Sequence, residues 1–177
     1  MSAIEFKAQI ETIGSWAIVK LPGPASATLP SRSQVMVNGT INGCKFLSPL
    51  EPDGVGGHWL SIDKNMQKSA RIQAGDAVTL TIEPTKIWPE PIVPPELMRA
   101  LRADAPALAT WKATTPMARH EWLRWINSTA QADTRQRRIE VSCSKLAAGE
   151  RRPCCFNRSM CCVPDVSKNG VLLTPRE

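Results

Sequence analysis

Five arginines fall close together in the second half of the chain: Arg119, Arg124, Arg135, Arg137 and Arg138. A guanidinium presents a planar fork of donors that fits carboxylates and phosphates, so this spacing makes the five candidate ligand- or anion-binding residues. Their positions are not equivalent. Arg135 precedes Ile139 by four residues and so lies beside an apolar helical stripe, where it needs an acidic partner. Glu121 and Asp133 are the expected partners, and Arg137 and Arg138 are expected to be freer. The bland reading is a solvated helix face with one structural arginine. The functional reading is a patch for an anionic partner. A break before an arginine-rich helix also resembles a helix-turn-helix, with Gln136, Arg137 and Glu140 placed to meet bases.

Thiols form a second constellation. Cys154, Cys155, Cys161 and Cys162 lie within nine residues, beside Arg151, Arg152 and Arg158. Thiolates are soft metal ligands. Structural zinc sites, however, favour pairs separated by two to four residues, and adjacent cysteines do not readily share one tetrahedral ion. The four are therefore weak metal candidates and no metal site is expected. Neighbouring arginines would favour the thiolate and its reactivity. The leading expectation for residues 151–177 is a poorly ordered tail.

The run Asp53-Gly54-Val55-Gly56-Gly57 invites comparison with a phosphate cradle. Such a loop needs a helix behind it, and a Lys with Ser/Thr. Here His58-Trp59-Leu60-Ser61-Ile62 alternates as a strand does, so the run reads as a hairpin loop. His58 reads as a strand surface residue, because no Ser, Cys or carboxylate near it in sequence makes a recognisable dyad. No cofactor is expected.

These residues must be positioned by two kinds of element. Over residues 1–84 the pattern is short apolar strands. Ile4–Thr12 alternates with period two. Trp16–Leu21, Gln34–Thr40, Cys44–Leu50, His58–Asp63 and Ala77–Glu83 complete the set, with Asn42-Gly43 as a two-residue turn. No helix is expected among them, and the spacing predicts a small closed barrel. A proline-rich linker occupies 85–94. Over 95–150 the period becomes helical. Pro95 opens a short helix, Ala107–Ala113 is another, and Thr115-Pro116 caps a third. That helix carries Ala118, Trp122, Trp125 and Ile126 on one face. The last helix carries Ile139, Cys143 and Leu146 and stops at Gly149. The last two form a helical hairpin, with the Trp pair as its core or as the seam against the barrel.

Charge follows the same division. Residues 1–94 carry 8 Lys/Arg against 8 Asp/Glu, and 95–177 carry 14 against 8, so the net +6 belongs to the second part. A basic surface permits nucleic acid or another anionic partner without selecting one. No apolar run approaches the roughly 18 residues of a membrane span. Met1–Ile10 contains Glu5 and Lys7 and lacks the apolar core of a secretory signal. The expected location is the cytoplasm, with reduced thiols.

Two stretches resemble known families. Arg119-His120-Glu121-Trp122-Leu123-Arg124-Trp125-Ile126 followed by Thr134-Arg135-Gln136-Arg137-Arg138-Ile139 is similar to the signature of the YdeI/OmpD-associated bacteriocin-protection family. Val37–Gly43, Gly56-Gly57-His58 and Gly75-Asp76-Ala77-Val78 resemble the small-barrel domain of unknown function often found ahead of that helical part. The resemblance covers about residues 3–150. His120 stands where an Arg is common, and Asn127-Ser128-Thr129 replaces an acid-Ala-Lys stretch. The resemblance implies an α+β fold, a double-split β-barrel followed by helices. It implies no catalytic residue. The expected function is a non-enzymatic binding or stress-protection protein, with an unidentified protein or anionic partner. Nucleic-acid binding by the last helix is the alternative.

Overall fold

The computed structural model describes residues 3–153 and 157–174. It divides into two compact units. The first comprises the chain up to Ile87 together with Arg158–Cys161 and the segment from Val166. The second comprises Trp88–Asn157 with Cys162–Asp165.

The first unit is built on seven antiparallel strands: β1 (Ile4–Gln9), β2 (Glu11–Ile13), β3 (Trp16–Lys20), β4 (Val35–Ile41), β5 (Cys44–Pro52), β6 (His58–Ser61) and β7 (Ala77–Pro84). Their order is β1-β7-β4-β5-β6-β3-β2. The two ends of this order, β1 and β2, are consecutive stretches either side of Ile10. The sheet must therefore curl until its first and last strands meet in one bent segment, which gives the barrel-like form. The bend is fixed by backbone bonds: Ile10 N–H donates to Asp76 O at 2.9 Å, and Gly75 N–H donates to Ile10 O at 2.8 Å.

Alternation puts Phe6, Val19, Val37, Leu60, Val78, Leu80 and Ile82 inside a single apolar core. The Asn42-Gly43 turn forms as its residue types require. Both have positive φ, at 47° and 83°, and Ile41 pairs with Cys44 across it. The expectation of a helix-free module is corrected in two places. Lys64–Ala70 is a helix (α2), because Asp63 Oδ1 accepts the Met66 N–H at 2.7 Å as an N-cap. Gly23–Ala27 is a one-turn helix (α1) entered through Pro22 and Pro24.

The tail is also corrected. Ser167–Lys168 (β8) and Val171–Leu172 (β9) form a hairpin around Asn169 and Gly170, both at positive φ. The hairpin is held in the first unit. Leu172 N–H donates to Asp53 O at 2.7 Å, Cys161 N–H donates to Gly170 O at 2.8 Å, and Val166 is buried. Gly54 packs backbone to backbone on Gly170, an approach that a Cβ at Gly54 would block.

The second unit is four helices: α3 (Pro95–Ala103), α4 (Ala105–Ala113), α5 (Pro116–Asn127) and α6 (Ala132–Ala147). The hairpin expected from the sequence is the α5–α6 pair, and α3 and α4 complete its core. Asp104 ends α3 and caps α4, its Oδ1 accepting the Ala107 N–H at 3.0 Å. Thr115 caps α5 through Ala118 N–H at 3.2 Å. Gly149, at φ 88°, closes α6. Leu97, Leu101, Trp111, Trp122, Ile126, Ile139 and Leu146 form the core. Trp122 is fully buried and meets the half-buried Trp125 edge-on, 6.2 Å between centroids.

Candidate binding site

The arginines all sit on α5 and α6, and four of the five are engaged inside the helical unit. Arg119 is only 8% exposed. Its Nε and Nη2 donate to the two carboxylate oxygens of Glu90 at 3.1 and 2.6 Å. Its Nη1 donates to Trp111 O and Thr114 O at 3.0 and 2.5 Å, at the C-terminal end of α4, where Trp111 O also accepts from the Thr114 N–H and hydroxyl. Arg119 thereby ties the Pro-rich stretch to two helices. His120 sits against the same stretch, with Nε2 3.0 Å from Pro89 O and its ring 5.3 Å from Trp88.

Arg135 pairs with Glu96 and Asn127 Oδ1, not with Glu121 or Asp133 as the sequence suggested. The reason is tertiary: α3 brings Glu96 to α6 from 39 residues away. Glu96's carboxyl is held below its ordinary value, first by its own backbone N–H at the start of α3 and then by Arg135. Arg138 is not free either. It donates to Trp125 O at 2.8 Å and Ser128 Oγ at 2.5 Å, and its guanidinium lies 5.6 Å from the Trp125 ring. Arg124 Nη2 lies 3.3 Å from Cys162 Sγ. Arg137 is exposed and has no hydrogen-bond or ion-pair partner among the described residues. Gln136 and Glu140 bond to each other at 3.1 Å along α6.

Of the candidate thiols, Cys154 and Cys155 lie outside the described residues. Cys161 is buried in the first unit, and Cys162 belongs to the second. Among the described residues no cluster of three His, Cys, Asp or Glu could hold a metal ion.

The glycine run is a hairpin loop joining β5 to β6. Asp53 Oδ1 accepts from Val55 N–H at 2.9 Å and Gly57 N–H at 2.8 Å. His58 follows it and corrects the sequence reading: it is buried, 1% exposed, and it does have a serine partner. Ser26 Oγ lies 2.6 Å from His58 Nδ1, and Ser33 O lies 3.0 Å from His58 Nε2. A carbonyl can only accept, so Nε2 carries the proton and Nδ1 accepts from the Ser26 hydroxyl. Thirty-two residues separate the pair, and α1 is what brings Ser26 to the ring. The arrangement has the connectivity of a serine–base pair, but Ser26 is only 3% exposed. Burial pushes the His58 pKa below its ordinary value. The Ser33 carbonyl, Asp53 and Glu51 oppose that shift and Arg32 adds to it.

Beside this pair a groove of about 530 Å³ opens in the sheet unit. One wall is Ile4, Glu5 and Phe6 of β1; the other is Pro22, Pro24, Ala25 and Thr28 around α1, with Pro84 contributing from the end of β7. The size suits a small ligand or a few residues of peptide. β1 ends the strand order and pairs on one side only. The Ile10–Asp76 bond fixes the alternation, so even-numbered β1 residues bond to β7 and the backbone groups of Glu5 point away from it. The groove therefore combines an apolar lining, one acidic residue and an unpaired strand edge. Nothing in the local sequence signals it, because its walls are a strand edge and a one-turn helix.

Fold and site together define a two-unit α+β protein: a curled antiparallel barrel-like sheet followed by a four-helix unit. Residues 90–149 match the family described as bacteriocin-protection, YdeI or OmpD-associated, and residues 6–82 match a domain of unknown function, DUF1905. The helical segment thus matches the first family and the sheet segment the second, as the sequence motifs indicate. No curated protein matches the chain. No helix among the described residues is long and apolar enough to cross a membrane.

Proposed function

We propose that the protein acts by binding, in a protective role related to the description of its helical family, and that the β1–α1 groove is its contact surface. The observation that carries this reading is the groove itself: about 530 Å³, apolar, with one acidic residue, Glu5, and an unpaired strand edge on its wall. An extended peptide with alternating apolar and basic residues answers each feature. Its backbone adds to β1, its apolar side chains fill the groove, and its cation meets Glu5. The cytoplasm is the proposed location. The arginines favour a nucleic-acid partner less than the sequence suggested, since four of them already hold internal partners.

The test is fluorescence anisotropy of short fluorescein-labelled Leu/Lys-alternating peptides against the full chain. Binding should weaken roughly tenfold or more in Thr28→Trp, which fills the groove, and by a smaller factor in Glu5→Gln. Binding unaffected by Thr28→Trp rejects the groove as the contact surface. A parallel titration with duplex DNA across a salt series should give neither tight binding nor a steep slope.

A further inference from the structure

We propose that the Ser26–His58–Ser33 hydrogen-bond chain is a pH-sensitive latch on the groove wall, and that proton uptake by His58 releases α1 and widens the groove. The hydrogen-bond roles carry the argument. With Nε2–H committed to Ser33 O, the only basic site on the ring is Nδ1, and Nδ1 is occupied by the Ser26 hydroxyl hydrogen. A proton from solvent must go to that nitrogen. Both ring nitrogens then donate, and the Ser26 hydroxyl must turn its hydrogen away and accept from Nδ1, so it is the burial of the cation that strains the closed state. A cation is left in a position that is 1% exposed.

The groups facing the ring from each neighbouring element set the balance. Asp53, in the β5–β6 loop, and Glu51, on β5, favour the cation. Arg32, in the segment leading to β4, opposes it, and α1 contributes only the uncharged Ser26. Burial outweighs the carboxylates, so the cation is relieved by admitting water. The element able to move is α1. It is one turn long, has no side-chain N-cap, and lies outside the strand ladder. β6, which carries His58, is by contrast paired on both sides, with β5 and β3. Ala25 and Thr28, flanking Ser26, line the groove, so any displacement of α1 changes the groove directly. The latch rests on the groove reading only for its consequence in binding, not for its existence.

The experiment uses the full chain between about pH 7.5 and pH 5. His58 is titrated by its ring resonances, assigned by comparison with His120→Gln. Hydrogen exchange is followed at the Ser26 and Leu29 amides, which bond to Pro22 O and Ser26 O. After correction for intrinsic rates, their exchange should rise by up to about tenfold per pH unit as pH falls from the ordinary histidine value of 6.5 and level off once His58 has titrated, while Ile41 and Leu80 in the sheet stay protected. Ser26→Ala should exchange faster at these amides already at pH 7.5, since it removes the bond from α1 to the ring. Protection of Ser26 and Leu29 that persists while His58 titrates overturns the latch, as does a loss shared equally with the sheet. The labelled peptide separates the two readings. pH-dependent opening without peptide binding at any pH supports the latch and rejects the groove reading. Peptide binding that ignores pH, with α1 closed throughout, overturns the latch and leaves the groove reading standing.

Discussion

The two units handle polar side chains in opposite ways. In the helical unit charge is spent on construction: Arg119 joins Glu90 to two helix carbonyls, Arg135 joins α6 to α3, and Arg138 closes the end of α5. In the sheet unit the buried polar pair is uncharged, Ser26 with His58, and the unsatisfied surface is an apolar groove along a strand edge. The contrast separates net charge from available charge. The second part of the chain holds the whole positive excess, yet four of its five clustered arginines point at their own fold.

That contrast can be broken by experiment. The largest effect belongs to Arg119→Met, which strands Glu90 and the Thr114 carbonyl. Glu90 is itself largely exposed, so the expected loss is about 2–3 kcal/mol, measured by urea unfolding. Gly54→Ala comes next. Its φ of 85° and its packing on Gly170 leave no room for a Cβ, so it should cost about 1–3 kcal/mol and speed exchange at the Leu172 amide, which bonds to Asp53.

Acid should separate the units. His58 binds its proton less readily folded than unfolded, so its stabilising contribution is present above its ordinary value of 6.5 and is lost as pH falls below it. Glu96 is also held below its ordinary value, 4.5, so its contribution is present above 4.5 and is lost only at lower pH. Residue-resolved unfolding against pH should show the sheet unit weakening first. The smallest effect is expected from Arg137→Ala, within about 0.5 kcal/mol in the same urea assay, since that side chain holds nothing.

Much of the fold was legible. Alternation over Ile4–Gln9 and Ala77–Pro84, the Asn42-Gly43 turn, the Thr115 cap and the Gly149 stop each acted as local chemistry predicts. Asn169-Gly170 carries the same turn signal as Asn42-Gly43, inside the tail expected to be poorly ordered. Asp63 was likewise a readable cap, hidden at the end of a strand pattern. The site was much less legible. Ser26 and His58 are separated by 32 residues, and no spacing rule connects them. The partner of Arg135 lies on α3, not on α5 or α6 where Glu121 and Asp133 stand.

The sequence by itself determined the elements, their periods and turns, the division between a neutral sheet part and a basic helical part, and the two family segments. Those properties are local, set by which residues bury well at period two or 3.6 and which tolerate positive φ. Tertiary structure alone decided which arginines are occupied, which histidine gains a serine, and where a strand edge stays open. Those outcomes depend on pairings across tens of residues, where chain closure, rather than propensity, chooses the neighbour.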